Sequence, residues 1–364
     1  MTPTDVTGLV APQRVLIWRR FKRHRLAMFG LVVTLALYLV AAFSGFLAPK
    51  HQDTAEATYA FAPPQQVHLS WDGGPRLFTY GYSSTVDDAT MVREFSVDHD
   101  HVIELGFFVR GDPYKLWGLF ETDRHLFGPK HAGDPFYLVG ADRQGRDQLS
   151  RLIYGTRISM SVGLVGVGLS LVLGVVLGGL SGYFGGAVDS LIQRIIEFII
   201  AIPSLPLWLG LAAAVPPGWG PVRTYIAITV ILSLLGWTGL ARVVRGKFLQ
   251  LKTEDYVLAA ELDGARKHRV IFRHMLPGFT SHIIATLTMA VPGMILAETA
   301  LSFLGLGLQP PAVSWGVLLQ EAQDLHVLSS APWLLLPGVA VMLAVVALNF
   351  LGDGLRDAAD PYEN

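Results

Sequence analysis

The sequence predicts an all-α polytopic membrane protein with six transmembrane helices and a small insert of mixed α/β character between the first two. Three observations predict it. Residues 158–188, 198–222, 276–297 and 327–352 contain no Asp, Glu, Lys or Arg. A helix needs about 20 apolar residues to cross the hydrocarbon core, and several such runs in one chain are hard to place in a soluble core. The composition agrees: 51% of residues are hydrophobic, 16% are charged, and the mean hydropathy is +0.43. Finally, the Lys and Arg residues gather in two clusters, which six crossings place on the same side.

The predicted spans are 26–48, 158–181, 190–214, 223–243, 279–303 and 332–351. The first apolar run, 26–47, is too long for the core of a signal peptide and reads as a span. Before it stand Arg14, Arg19, Arg20, Lys22, Arg23 and Arg25. Between the fourth and fifth spans stand Arg242, Arg245, Lys247, Lys252, Arg266, Lys267, Arg269 and Arg273. The positive-inside rule makes their common side the cytoplasm. Both termini then lie inside, including the tail 353–364; the turn 215–221, the segment 305–331 and the insert lie outside. Within residues 1–25, Val15, Ile17, Trp18 and Phe21 stand among the cations. That fits an amphipathic helix in the interface or a plain basic flank.

The insert, 49–150, has 15 Asp and Glu against 9 Lys and Arg. Alternation in VHLSW and the run VIELGFFVRG predict strands. Asp98, His99, Asp100 and His101 alternate two metal-ligating types. On a strand they split into two faces of two ligands each, too few for a metal site, so a solvated loop is expected.

No catalytic constellation is visible. RGKF at 245–248 lacks the first glycine and the hydroxyl residue of a phosphate-binding loop, and neither an H-E-x-x-H helix nor a G-x-S-x-G elbow occurs. The chain has no cysteine, which excludes thiolate chemistry and disulfides. The net charge of -1 gives no reason to expect a nucleic-acid partner. No bound cofactor or metal is expected, and any ATPase must be another chain. Two carboxylates, Glu197 and Glu298, fall within predicted spans, with Asp189 and Arg194 toward the inner end of the third. Such groups mark ion pathways or join helices; the absence of a deep Lys or Arg partner in the same spans favours the structural role.

The loop 244–278 carries more than charge. Thr253 is a predicted N-cap, with Glu254 and Asp255 suited to a helix start. A helix over Leu258, Ala259, Ala260, Glu261 and Leu262 is expected to stop at Asp263-Gly264. A second helix should run from Ala265 to Pro277, with Ile271, Phe272, Met275 and Leu276 at helical spacing and Arg266, Lys267, Arg269 and Arg273 on its polar sides.

This loop resembles that of ABC importer permeases, whose pattern is Glu-Ala-Ala, a glycine four residues on, and then Ile-x-Leu-Pro. Ala259, Ala260, Gly264 and Leu276-Pro277 match it. Leu258 stands in place of the glutamate, and Asp263 where an apolar or small residue is usual. LVGADRQGRDQLSRLIYGTRISMSVG (138–163), with Ala141 in place of a threonine, ETALSFLGLGLQPPAVSWG (298–316) and NFLGDGLRDAADP (349–361) resemble signatures of the oligopeptide, dipeptide and nickel class. The resemblance implies a type I importer permease, a second permease subunit beside it, two ATPase subunits holding ATP and Mg, and an extracytoplasmic substrate-binding protein. It implies that the loop docks on the ATPase, through Tyr256, Leu258, Ala259, Ala260, Asp263, Gly264, Ala265, Arg273, Leu276 and Pro277. The alternative is a proton-coupled secondary transporter using Glu197 and Glu298. The substrate stays open among peptides, nickel chelates, opines and other solutes.

Overall fold

A computed structural model describes residues 13–71, 74–86, 93–216, 218–323 and 329–359. These form two compact units, one drawn from the described residues within 13–35, 162–298 and 343–359, the other from those within 36–161 and 299–342. The helices are α1 (Gln13–Arg23), α2 (Arg25–Ala42), α3 (Ser44–Leu47), α4 (Gln148–Phe184), α5 (Gly186–Ala201), α6 (Ser204–Ala213), α7 (Pro221–Leu251), α8 (Asp255–Leu262), α9 (Lys267–Arg269), α10 (Thr280–Phe303), α11 (Trp315–Glu321) and α12 (Leu336–Ala359).

Five helical segments among the described residues are long and apolar enough to cross a membrane: α2, α4, α7, Ile283–Phe303 and Pro332–Ala358. The predicted third span is instead two helices, α5 and α6, bent by 88°. The cause is local. Pro203 has no amide proton to donate, and it pushes the preceding residue out of the helical region. Ile202 is accordingly extended, with φ -90° and ψ 127°. Six crossings follow only if the bent pair counts as one. The predicted tail 353–364 is not separate, because α12 runs to Ala359; residues 360–364 lie outside the described part. Residues 13–23 do form a helix, and it buries Phe21 in a cluster with Ala27, Leu351 and Ala358.

Within the first unit, α4 and α7 meet along a column of small residues. A Cβ on Gly174 would lie 2.8 Å from Leu240, one on Gly178 2.5 Å from the Ala241 carbonyl oxygen, and one on Gly182 2.6 Å from the Phe248 Cβ. Spacing of four residues puts all three on one helix face, and glycine lets the backbones close up, the usual device for joining helices in lipid. Helix α5 joins α7 through Ile192, Ile196, Trp237 and Ala241. An ion pair adds to this: Arg245 Nε and Nη2 each donate to Asp189, both at 2.6 Å.

The second unit holds the insert. Its described residues are not mixed α/β: they form an antiparallel meander of β1 (His68–Ser70), β2 (Arg76–Val86), β3 (Arg93–Leu116) and β4 (Phe120–Pro129), in that order, with one short 3₁₀ turn at Ala57–Tyr59. Ile103, Leu105 and Phe136 form its core. Two bulges bend β3. At the first, Tyr80 pairs with Val102 but Gly81 pairs with Asp98, so residues 99–101 loop out of register. The expected loop at Asp98–His101 is thus a bulged part of a strand. The Asp98 carboxylate accepts the Asp100 amide at 3.0 Å, and the His99 ring packs on Tyr80. No cluster of three ligating side chains occurs among the described residues. At the second bulge Asp112 accepts the His51 amide at 2.8 Å and the Thr54 hydroxyl at 2.6 Å. Burial alone would push this carboxyl up. The two hydrogen bonds, with Lys50 and His125 nearby, outweigh that and hold it below the ordinary value.

Candidate functional site

Helix α7, 31 residues long, runs on into the basic loop as far as Leu251. It closes with Lys252 donating to the Phe248 carbonyl at 3.0 Å. The Thr253 hydroxyl donates to the Gln250 carbonyl at 2.9 Å. Thr253 therefore finishes α7 and does not cap α8. Glu254, in extended conformation, takes the N-cap place without a side-chain bond.

Helix α8 buries Val257 and Ala260 and exposes Tyr256, Leu258, Ala259 and Leu262, the last at 88%. Partial burial, and then the Glu254 charge, raise the Tyr256 phenol above its ordinary value. Asp263 is the C-cap, and Gly264 follows at φ +75°. Gly264 N–H donates to Glu261 O, and Ala265 N–H to Ala260 O, each at 3.0 Å. These two bonds are the Schellman pair that satisfies the last carbonyls of a helix. A Cβ on Gly264 would meet nothing within 4 Å, so glycine is required there by its backbone angle alone.

Beyond the turn the structure departs from expectation. The chain passes from α9 into a π-helical turn, Val270–Met275, then a 3₁₀ turn, Leu276–Phe279, and directly into α10. Pro277 does not end the helix. It sits in the first turn of the 3₁₀ segment, where its missing amide costs nothing, and the wide Leu276 N–H to Ile271 O bond precedes it. The inward face is Val270 and Met275, with Ile271 and Leu276 partly buried. Phe272, expected beside them, is 61% exposed. Arg266, Lys267, Arg269 and Arg273 are exposed around it.

The loop is seated on three long helices. Tyr183 of α4, Leu240, Val244 and Phe248 of α7, and Ile283 of α10 enclose Val257, Val270, Met275 and Phe279. Two polar fastenings escaped sequence reasoning. The Tyr183 hydroxyl donates to Glu261 at 2.9 Å, and Lys252 Nζ donates to the Tyr183 carbonyl at 3.0 Å. The one available signal was a tyrosine closing an apolar run just before Gly185-Gly186.

The two carboxylates within the spans differ. Glu298 is fully buried in α10 and engaged with neighbouring groups. Glu197 is half exposed on α5 and accepts from Arg194, one turn away, at 2.9 Å. The partner is the arginine placed toward the inner end of this segment, and the pair forms because i and i+3 share a helix face.

A charged cluster in the second unit was also missed in part. Asp142 accepts the Arg146 Nε at 2.6 Å and an Arg151 Nη1. Glu321 of α11 accepts Arg146 Nη2 at 3.0 Å, Arg151 Nη1 at 2.9 Å and Arg151 Nη2 at 3.0 Å. Arg151 is 1% exposed. Two guanidiniums and two carboxylates thereby neutralise one another out of water.

Long apolar helices, with an exposed helical loop seated on their ends, define an integral membrane subunit. A family model described as "Binding-protein-dependent transport system inner membrane component" matches residues 174–362. A second, "N-terminal TM domain of oligopeptide transport permease C", matches 13–64. The chain belongs to the family of binding-protein-dependent transport system inner-membrane components, as its motifs implied. It is 34% identical over 345 residues to the dipeptide transport system permease protein DppC of Bacillus subtilis, covering 94% of this chain and 84% of that one. It is 39% identical over 250 residues to the glutathione transport system permease protein GsiD of Pectobacterium atrosepticum, covering 68% and 79%. It is 38% identical over 223 residues to the oligopeptide transport system permease protein OppC of Bacillus subtilis, covering 61% and 70%. A solved chain described as an inward-facing conformation of the MetNI methionine ABC transporter aligns at TM-score 0.43 and 18% identity, over 57% of this chain and 95% of that one. Membership of a binding-protein-dependent family disfavours the proton-coupled alternative.

Proposed function

We propose that the chain forms half of the translocation pathway of an ABC importer for peptides or related small solutes. A second permease subunit completes the pathway, two ATPase subunits bind ATP and Mg inside, and a substrate-binding protein delivers substrate outside. The dipeptide, glutathione and oligopeptide relatives support the substrate class. The chain itself does no bond chemistry. Loop 244–278 is the contact with the ATPase, on the cytoplasmic side given by the basic clusters.

One observation carries this reading: Leu258, Leu262 and Phe272 point outward from a loop whose inner face is locked into the ends of α4, α7 and α10. An exposed apolar patch beside cations suits a protein partner. Because the inner face is packed, ATPase closure would displace the loop as a body and carry the long helices with it. That input would shift the population between inward-open and outward-open states. Leu258 supplies an apolar contact where the family pattern has a carboxylate.

Leu262→Asp and Gly264→Pro test the reading in reconstituted transporter. Both should insert, yet lose substrate-stimulated ATP hydrolysis and uptake. Full uptake by inserted Leu262→Asp protein would refute the docking role.

A further inference from the structure

We propose that the tip of the β3–β4 hairpin is a lipid anchor, seated at the headgroup boundary beside the end of α2. The turn Leu116-Trp117-Gly118-Leu119 has its two central residues at φ +54° and +74°. That backbone suits a tight hairpin, but a large aromatic rarely adopts it. Here the indole is held from outside the hairpin. Its Nε1–H donates to the Ala42 carbonyl at 2.8 Å, and its ring lies 5.7 Å from that of Phe43.

Those contacts fix the depth of the tip. Ala42 is the last residue of α2, a helix of 18 residues apolar enough to span; at about 1.5 Å per residue its length of about 27 Å is close to the thickness of the hydrocarbon core, so its end lies near the headgroup boundary. At that level the tip exposes Trp117 (54%), Leu119 (76%) and Phe120 (60%). Leu39 and Phe43 continue the same exposed apolar surface back along the span. One rung further from the turn the chemistry changes: Lys115 and Glu121 are paired at 2.9 Å and largely exposed. Arg110 and Asp123 follow. An apolar tip, an indole at its base and a charged collar match the layering of a bilayer interface, where tryptophan is enriched. A tip bathed in water would leave three large apolar side chains exposed together. The inference rests on α2 crossing the bilayer. The proposed orientation decides only which leaflet receives the tip.

The chain has no cysteine, so Leu119→Cys and Asp123→Cys each give one unique labelling site. A small fluorophore is attached to each in the assembled transporter in nanodiscs, and the signal of transporter carrying the unsubstituted chain, labelled alike, is subtracted. Quenching is measured with headgroup-level nitroxide lipids and with aqueous iodide. Four residues of strand separate the two sites by about 13 Å. Lipid quenching at Leu119 should exceed that at Asp123 by about threefold, and iodide quenching should be weaker, as interfacial burial requires. Equal iodide quenching at both sites places the tip in water and overturns the proposal. Shielding of Leu119 from both quenchers also overturns it, because a protein surface then covers the tip.

Discussion

The seat of the loop around Phe248 and Met275 and the approach to α4 around Arg151 are both closed by buried side chains, yet by different forces. The first is hydrocarbon, with a few hydrogen bonds at its margin. The second is a neutralised ionic cluster in which each guanidinium reaches two carboxylates. Apolar contact has no preferred direction and can repack as helices shift. Forked Arg–carboxylate contacts accept one geometry. The seat of the loop can therefore take up small readjustments without losing its contact, while the ionic cluster keeps its segment in one register.

The largest expected effect breaks the ionic side. Arg151→Ala leaves Asp142 and Glu321 short of a counter-charge, and loss of one partner from a buried pair costs about 3–5 kcal/mol. Thermal unfolding of the purified chain should show it, and Asp142→Asn in the same chain should recover part of the loss. Next, Phe248→Ala empties the apolar seat at a cost of about 3 kcal/mol. Proteolysis within 253–278 should quicken, with little change at residues 142–151. Equal loss at both places would erase the contrast between them. A smaller effect belongs to Gly264→Ala. A left-handed alanine costs roughly 1–2 kcal/mol, and nothing crowds the site, so hydrogen exchange should rise in α8 and Ala265 alone.

The smallest effect concerns pH. The Asp112 carboxyl is held low in the folded chain, so its stabilisation is present above the unfolded value of about 3.9 and fades as pH falls through the folded value. Asp112→Asn should cost about 1 kcal/mol at neutral pH. The gap between the two unfolding curves should shrink below about pH 4. A gap independent of pH would assign the cost to packing.

Much of this was legible in the sequence because the relevant signals are local. Charge-free runs marked the long helices, and Asp263-Gly264 marked the turn after α8 to the residue. The misses share a different cause. Thr253 could cap either neighbour, and only the position of the Gln250 carbonyl decided which. The continuation through Pro277 depends on a widened turn that no propensity encodes. Tyr183–Glu261 and Arg151–Glu321 join residues 78 and 170 positions apart, and spacing says nothing about pairs so distant. The break at Pro203 was readable, since AIPSLP places two prolines in the middle of a predicted span; hydropathy alone hides it, because proline carries no charge.

That break has a consequence for what surrounds the chain. A helix end leaves amides and carbonyls without intrahelical partners, and here two ends meet inside an apolar segment. The residues at the bend are mostly exposed: Ala201, Pro203, Ser204 and Leu205 all face outward. Acyl tails offer them neither donor nor acceptor, and each group left unmet in hydrocarbon costs several kcal/mol. Lipid is therefore the wrong neighbour for this stretch of surface. Water or a second polypeptide suits it better, which makes the elbow between α5 and α6 a surface poorly fitted to lie alone against lipid.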